Sequence, residues 1–332
     1  MNVLSLFDGI SCARVALDRA GIKINAYMSS EIDKNAIKVS QKNYPDIIRV
    51  GSVIDLEVEG QVDLLIGGSP CQDLSLANKN RKGLDGDRSG LFWEYVRIMK
   101  ECKPQWFILE NVASMPKADR DIITREMGVE PVLFNASLVS AQCRKRLFWT
   151  NIPFTLPSDR GILLDDILQS DVDEKFYINK EMKANGKMTG KVGYIGDGEQ
   201  YGQGGQAHRV YSPEGKTPTL SSGPALVKMG RDMGRRLDAD GRRQEGNTDV
   251  PITRSIDLRK DEKTNTLTSV AKDNLVVGDR IRKLTPIECE RLQGLPDNYT
   301  EGIAMTHRYK CLGNAFNVDV VAHILGRIKL MY

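Results

Sequence analysis

The sequence predicts an α/β protein: a mostly parallel sheet wrapped by helices, with a smaller lobe of different texture set into the chain. Three observations predict it. Short apolar runs alternate with amphipathic helical patterns through residues 1–156. Residues 157–279 turn rich in Gly, Lys and Arg and poor in aliphatic runs. From residue 280 to 332 the amphipathic helical pattern returns.

Taken in order, residues 2–7 and 24–29 carry β-type runs, each followed by a helical pattern, at 12–20 and 34–43. Further apolar runs lie at 47–50, 62–67, 105–109, 131–135 and 147–151, with helical patterns at 90–100 and 119–127. Strand and helix in alternation is the signature of parallel pairing. The middle lobe is punctuated by Ala184-Asn185-Gly186, Gly202-Gln203-Gly204-Gly205 and Ser221-Ser222-Gly223-Pro224, all turn signals. It also holds an internal echo, residues 215–222 (GKTPTLSS) against 262–269 (EKTNTLTS), which predicts two similar β-segments presenting hydroxyls and amides to one surface. Beyond it, Thr285-Pro286-Ile287-Glu288 reads as a helix cap with proline in the first turn, and a closing helix is expected near 318–330.

A chain of 332 residues, 40% hydrophobic and 27% charged, is large enough for one good core and a second lobe. The six cysteines, at 12, 71, 102, 143, 289 and 311, form no Cys-x-x-Cys pair and no zinc-type spacing, so neither a disulfide framework nor a structural metal is expected. The opening run meets an acid at Asp8 and lacks a basic flank, which reads as a first strand rather than a secretory signal. No window reaches the roughly 18 apolar residues of a membrane span. The expected setting is reducing, aqueous and cytoplasmic. A net charge of +3 neither argues for nor excludes a nucleic-acid partner.

The most chemically pointed stretch is Asp63-Leu64-Leu65-Ile66-Gly67-Gly68-Ser69-Pro70-Cys71-Gln72. A buried-looking strand runs into small turn-forming residues and delivers one cysteine at its carboxyl end, where open α/β sheets place their ligands. A thiol presented in this way reads as a nucleophile. For the residue type alone, an inert core cysteine is as common.

The ordered set Phe7-x-Gly9, Ser30-Glu31, Gly67-Gly68-Ser69-Pro70-Cys71-Gln72, Glu110-Asn111-Val112, Gln142-x-Arg144-x-Arg146, Arg291-Leu292-Gln293-Gly294-Leu295-Pro296 and Gly313-Asn314-Ala315 resembles the motifs of DNA cytosine-C5 methyltransferases. The resemblance covers residues 1–154 and 280–332, and Asp73-Leu74-Ser75 through Arg81-Lys82-Gly83-Leu84 is similar to the animal de novo branch. It implies a Rossmann-like S-adenosylmethionine-dependent catalytic domain at 1–156 and 280–332, with a target recognition domain at 157–279.

The resemblance also implies roles. Cys71 becomes the thiolate that adds to C6 of cytosine and makes C5 nucleophilic. Glu110, ending the apolar run Trp106-Phe107-Ile108-Leu109, is suited to protonate or hydrogen-bond N3; its bland alternative is a strand-end acid paired with an arginine. Asn111 braces the loop beside the cysteine, with Ser69, Pro70 and Gln72 around the base. Arg144 and Arg146 alternate on an extended segment and are expected to share one face, Arg146 meeting the cytosine O2 and Arg144, with Gln142, positioning the neighbouring loop. No base for the C5 proton is identifiable, and water can serve. The methyl donor is implied to contact Phe7, Gly9, Glu31, Ser52, Val53, Leu91 and Asn314, with Glu31 on the ribose hydroxyls. Two departures stand out: Gly51-Ser52-Val53 replaces the usual Gly-Asp step, and a second glycine after Phe7 is missing. Both predict weaker cofactor binding and leave the ring chemistry untouched. A nicotinamide dehydrogenase would show a fuller Gly-x-Gly-x-x-Gly than Gly9-Ile10-Ser11-Cys12.

Since C6 lies inside the duplex stack, the cytosine must swing out, at roughly a few kcal/mol. The glycine-punctuated residues 79–90 read as a mobile lid whose Arg81 and Lys82 reach phosphate, the alternative being a solvated surface loop. Sequence reading falls to the middle lobe, where Lys228, Arg231, Arg235, Arg236, Arg242 and Arg243 crowd a short span, interspersed with Asp232, Asp238 and Asp240, a mixture that a solvated loop would show equally and that assigns no individual base contact. The expected partner is double-stranded DNA, met by a monomer of bacterial or phage origin. A cognate restriction endonuclease fits that role but has no signature in the chain. Two rivals remain at this point: a tRNA cytosine methyltransferase of the same superfamily, and a DNA-binding relative without catalysis, against which Cys71, Glu110, Arg144 and Arg146 together argue.

Overall fold

A computed structural model describes residues 1–54, 56–70, 91–177, 182–183, 191–195, 210–211, 228–236, 249, 252–258, 263–264, 266–267, 275–277 and 281–331. Cys71, Gln72, Arg81 and Lys82 lie outside the described residues, as do Arg242, Arg243 and the first copy of the internal echo.

Seven strands form the main sheet: β1 (Asn2–Leu6), β2 (Ala26–Ser30), β3 (Ile48–Gly51), β4 (Leu64–Gly67), β5 (Trp106–Val112), β6 (Val132–Asn135) and β7 (Lys145–Thr150). Their spatial order is β3-β2-β1-β4-β5-β7-β6. Pairing is parallel from β3 across to β5, whereas β7 runs antiparallel to both β5 and β6. β4 is buried at every position and β5 at all but Glu110. Such unbroken apolar runs belong to strands covered on both faces.

Period-two alternation sends their side chains to two cores. Val3, Leu64, Ile66 and Ile108 face α1 (Cys12–Ala20), α2 (Lys34–Asn43) and helices from the end of the chain, while Leu4, Leu6, Leu65, Phe107 and Leu109 face α3 (Phe92–Cys102) and α4 (Lys117–Met127). The C-terminal helices are α5 (Pro286–Leu292), α6 (Met305–Asn314) and α7 (Val318–Leu325). The expected cap of α5 is a full capping box: the Glu288 amide donates to Thr285 Oγ1 at 3.2 Å, and Glu288 Oε2 accepts from the Thr285 amide at 2.8 Å. The expected closing helix stops earlier than the pattern suggested, at Leu325. Gly326 follows it, and a short 3₁₀ turn, Ile328–Met331, takes over.

The middle segment is antiparallel. β8 (Met182–Lys183), β9 (Lys191–Ile195) and β10 (Val210–Tyr211) form one small sheet, and β11 (Lys228–Arg236), β12 (Ile252–Leu258), β13 (Leu275–Val277) and β14 (Ile281–Lys283) another. Lys228, Arg231, Arg235 and Arg236 lie on β11. β14 pairs with β13, so hydrogen bonding in the second sheet continues past residue 280. Among the described residues no helix is long and apolar enough to cross a membrane.

Candidate active site

In the strand order, the chain moves outward in opposite directions after β1 and after β4, and these two are neighbours. The crevice outside their carboxyl ends is a topological switch point. The turn at residues 7–11 leaves β1 there, and Gly68-Ser69-Pro70 leaves β4 there toward Cys71.

The β1 turn has an unusual backbone. Phe7, Gly9 and Ser11 all adopt positive φ, at 55°, 59° and 60°. A Cβ added to Gly9 would meet nothing within 4 Å, so the turn is open to the crevice. Glu31, at the end of β2, does more than await a ribose. Its Oε2 accepts from the Gly9 amide at 2.8 Å, and its Oε1 accepts from the amides of Ile32 and Asp33, each at 2.8 Å. It therefore splints two strand tips. Ile32 is 72% exposed beside it, an apolar face that the sequence reading missed; the signal was an isoleucine directly after a strand-end acid. Ser52 is exposed, its Oγ accepting from the Ile54 amide at 3.1 Å, while Val53 is buried. Leu91 is half-buried at the start of α3, and Asn314 is exposed at the end of α6. A carboxylate, an apolar side chain and an open glycine turn at one crevice suit a nucleoside with ribose hydroxyls and a flat ring.

On the β4 side, β5 and β7 supply the charge. Their register sets Val112 opposite Arg146, so Glu110 lies diagonal to Arg146 on the same face. The two pair at 2.8 Å between Arg146 Nε and Glu110 Oε1, with side chains only 16% and 13% exposed. Glu110 Oε2 sits close to Gly68, 3.1 Å from where a Cβ would stand. Asn111 donates to Ser69 Oγ at 3.1 Å and to its carbonyl at 3.4 Å, while its own Oδ1 accepts from the Val112 amide at 2.8 Å. The carboxylate, the guanidinium and the loop leading to Cys71 thus converge.

Arg144 precedes β7 and is 4% exposed. Its Nη1 donates to the Leu267 carbonyl at 3.1 Å, and its Nη2 donates to the Gly313 and Ala315 carbonyls at 3.2 and 3.0 Å. It ties the start of β7 to the C-terminal segment and to the second echo. That echo runs alongside: the Thr264 amide donates to the Ala141 carbonyl at 2.8 Å and the Cys143 amide to the Thr264 carbonyl at 2.9 Å. Gln142 is fully buried, and its side-chain amide finds no partner among the described residues.

Four thiols elsewhere in the chain are held toward their protonated, unreactive form. Burial pushes up Cys12, Cys289 and Cys102, and raises Cys311 to about 12.

The family model described as C-5 cytosine-specific DNA methylase matches residues 1–330. The chain belongs to that family. It is a DNA cytosine-C5 methyltransferase, and the methyl donor of the family is S-adenosylmethionine. Among curated relatives, it is 28% identical to the orphan methyltransferase M.SPRI of Bacillus phage SPR, over 100% of this chain and 98% of the relative. It is 25% identical to the type II methyltransferase M.HhaI of Haemophilus parahaemolyticus, over 99% of this chain and 94% of the relative. Among solved structures, the Entamoeba histolytica methyltransferase EhMeth shares the fold, with a TM-score of 0.65 at 15% identity over 100% of this chain and 99% of the other.

Proposed function

We propose that this methyltransferase acts on a cytosine swung out of duplex DNA at a specific sequence, through a transient bond between Cys71 Sγ and C6. The observation that carries the proposal is the place of the Glu110–Arg146 pair rather than the pairing itself, which a structural strand-end acid would also make: Glu110 Oε2 lies against Gly68, three residues before Cys71. The Cys71 thiolate adds to C6, and the electron pair displaced from the C5–C6 bond moves toward N3. Glu110 meets that charge by giving N3 a proton or hydrogen bond, and Arg146 holds Glu110 in place while its guanidinium faces O2. Bound S-adenosylmethionine supplies an electrophilic methyl group for the activated C5. Water then takes the C5 proton, the electron pair of that C–H bond re-forms the C5–C6 double bond, the Cys71–C6 bond breaks with its electrons left on sulfur, and a proton given to N3 returns to Glu110.

Asn111 steadies the loop by gripping Ser69, with Pro70 and Gln72 flanking the nucleophile. Arg144 and Gln142 position the segment behind them. Phe7, Gly9, Glu31, Ser52, Val53, Leu91 and Asn314 are the residues to hold the cofactor. The splint from Glu31 to Gly9 and the open turn support this assignment. Arg81 and Lys82 belong to a lid reaching phosphate, and residues 157–279 to a target recognition domain reading the bases. The reading extends to a modification role in a microbial cytoplasm, carried out by a monomer and open to pairing with a cognate endonuclease; the similar methyltransferases M.SPRI and M.HhaI come from a phage and a bacterium.

The test is covalent capture. Duplex DNA bearing 5-fluorocytosine at the site found by bisulfite sequencing should be trapped by the parent protein, because fluorine at C5 cannot leave as a proton. Cys71→Ser should give no adduct and no methyl transfer while still binding DNA. A serine variant with parental activity removes the nucleophile assignment. Label transferred to tRNA and not to duplex DNA transfers the assignment to the rival substrate.

A further inference from the structure

Beneath the β1 turn lies a buried polar network that none of the motifs contains. Asp8 is buried, and its Oδ1 accepts from Tyr27 Oη at 2.6 Å. Its Oδ2 accepts from Ser11 Oγ at 2.5 Å and from Ser29 Oγ at 2.8 Å. Ser11 occupies the N-cap position of α1, yet its hydroxyl makes no cap bond and is committed to Asp8 instead.

Arg49 stands on β3, opposite Ser29 in the strand register. Its Nη1 donates to Ser29 Oγ at 3.1 Å and its Nη2 to Ser40 Oγ at 2.7 Å, and Ser40 in turn contacts Ser11. A hydroxyl has one proton to give. Ser29 and Ser11 both spend theirs on Asp8, so Ser40 must donate to Ser11. Two relays result, Arg49 to Ser29 to Asp8, and Arg49 to Ser40 to Ser11 to Asp8. Every hydroxyl dipole points from the cation to the buried anion, the arrangement in which hydrogen bonds reinforce one another.

We propose that Arg49 is a positioning residue for S-adenosylmethionine, acting through these serines on Asp8 to hold residues 7–11 ready for the cofactor; this rests on reading that turn as part of the cofactor site. The turn needs an anchor because Phe7 and Ser11 sit at positive φ, a conformation that costs a non-glycine residue about 1 kcal/mol or more. Once the anchor is cut, the turn relaxes and the cofactor must restore it on binding, a cost that appears in affinity rather than in chemistry. The relay reaches the tips of β1, β2 and β3 together, and Arg49 lies three residues before Ser52, where the usual acid is missing.

The experiment uses the whole chain, S-adenosylhomocysteine as calorimetric probe, and steady-state rates with S-adenosylmethionine and DNA. Arg49→Met should weaken probe binding and raise the cofactor KM about tenfold, with kcat at saturating cofactor and DNA affinity within about twofold of the parent. Arg49→Lys, which keeps the charge but gathers its donors on a single nitrogen, should fall between. Ser40→Ala should cost about threefold, and the Ser40→Ala/Arg49→Met double variant should bind no worse than Arg49→Met alone, since Arg49→Met already cuts the relay that runs through Ser40. Parental binding by Arg49→Met overturns the proposal, as does a loss in kcat at unchanged KM, or additive losses in the double variant. If Arg49→Met does not fold, Ser40→Ala and Ser29→Ala decide by the same split between KM and kcat. Glu31→Ala separates the two readings: unchanged affinity there refutes the cofactor site itself, whereas weakened binding by Glu31→Ala beside a parental Arg49→Met refutes the relay alone.

Discussion

Replacing Gly68 with alanine inserts one methyl group between the end of β4 and the Glu110–Arg146 pair. The backbone at Gly68 lies outside the left-handed region, so alanine is tolerated conformationally and only space is at issue. The new Cβ would stand 2.9 Å from Phe316 Cε1 and 3.1 Å from Glu110 Oε2, where ordinary contact begins at 3.4 Å. The ring must therefore retreat by about half an ångström and the carboxylate by somewhat less. A displacement of 1 Å at a reacting group costs about 100-fold, so about tenfold is expected in kcat. Overpacking adds about 1 kcal/mol of lost stability. Initial rates with labelled cofactor at saturating DNA, set beside urea unfolding, measure both. Gly67→Ala is the control: its Cβ meets the Leu6 backbone carbonyl at 2.8 Å, which cannot step aside. That variant should lose about 2 kcal/mol while each folded molecule turns over as the parent does. A Gly68→Ala protein with parental kcat, or one whose activity falls only in proportion to its unfolding, refutes the placement of Glu110 in the chemistry.

Glu110→Gln should lower kcat by about 10² to 10⁴-fold, the usual worth of a positioned acid, with DNA affinity retained in a filter-binding assay. Arg144→Met leaves the Leu267, Gly313 and Ala315 carbonyls without their donor, which should cost about 3 kcal/mol in urea unfolding. Ser52→Asp should tighten cofactor binding in a direct titration; unchanged or weaker binding removes the expected penalty of this departure. The hydrogen-bonded Lys310 ammonium holds the Asp33 carboxyl below its usual 3.8 against an opposing push from burial, helped by the amides of Asn35 and Ala36. A folded value lower than the unfolded one gives stability that is complete above about pH 4 and lost as pH falls through the depressed value. Asp33→Asn should accordingly flatten the acid limb of a plot of unfolding midpoint against pH.

Much of residues 1–156 was legible because its physics is local. Each strand of the main sheet and the helices α1 to α4 begin or end within a few residues of where periodicity set them. The sense of β7 was not read, although the means existed: residues 136–144 hold only a 3₁₀ turn, too little for the crossover a parallel return needs. α6 was not delimited, because its pattern is broken by Gly313 and by its charged face. Among site residues, Glu110 and Arg146 were singled out separately, but their pairing depends on strand register, which single-strand patterns do not encode. The double duty of Glu31 was hidden for a related reason. Its partners are backbone amides, presented only once the turn takes its positive-φ path. The partners of Arg144 were hidden as well: its guanidinium donates to carbonyls more than a hundred positions later in the chain, which no local pattern encodes.

The pairing of α1 with α7 sets the timetable of folding. Arg19 binds Asp319 and the Gly294 carbonyl, and the Tyr299 hydroxyl donates to the Ile10 carbonyl. As the polypeptide leaves the ribosome, the apolar stripe of α1 emerges before α7 and must wait until residues 318–325 are made before its cover arrives. Contacts of such span close slowly, and a nascent chain paused before residue 318 offers Val15 and Leu17 to any chaperone nearby.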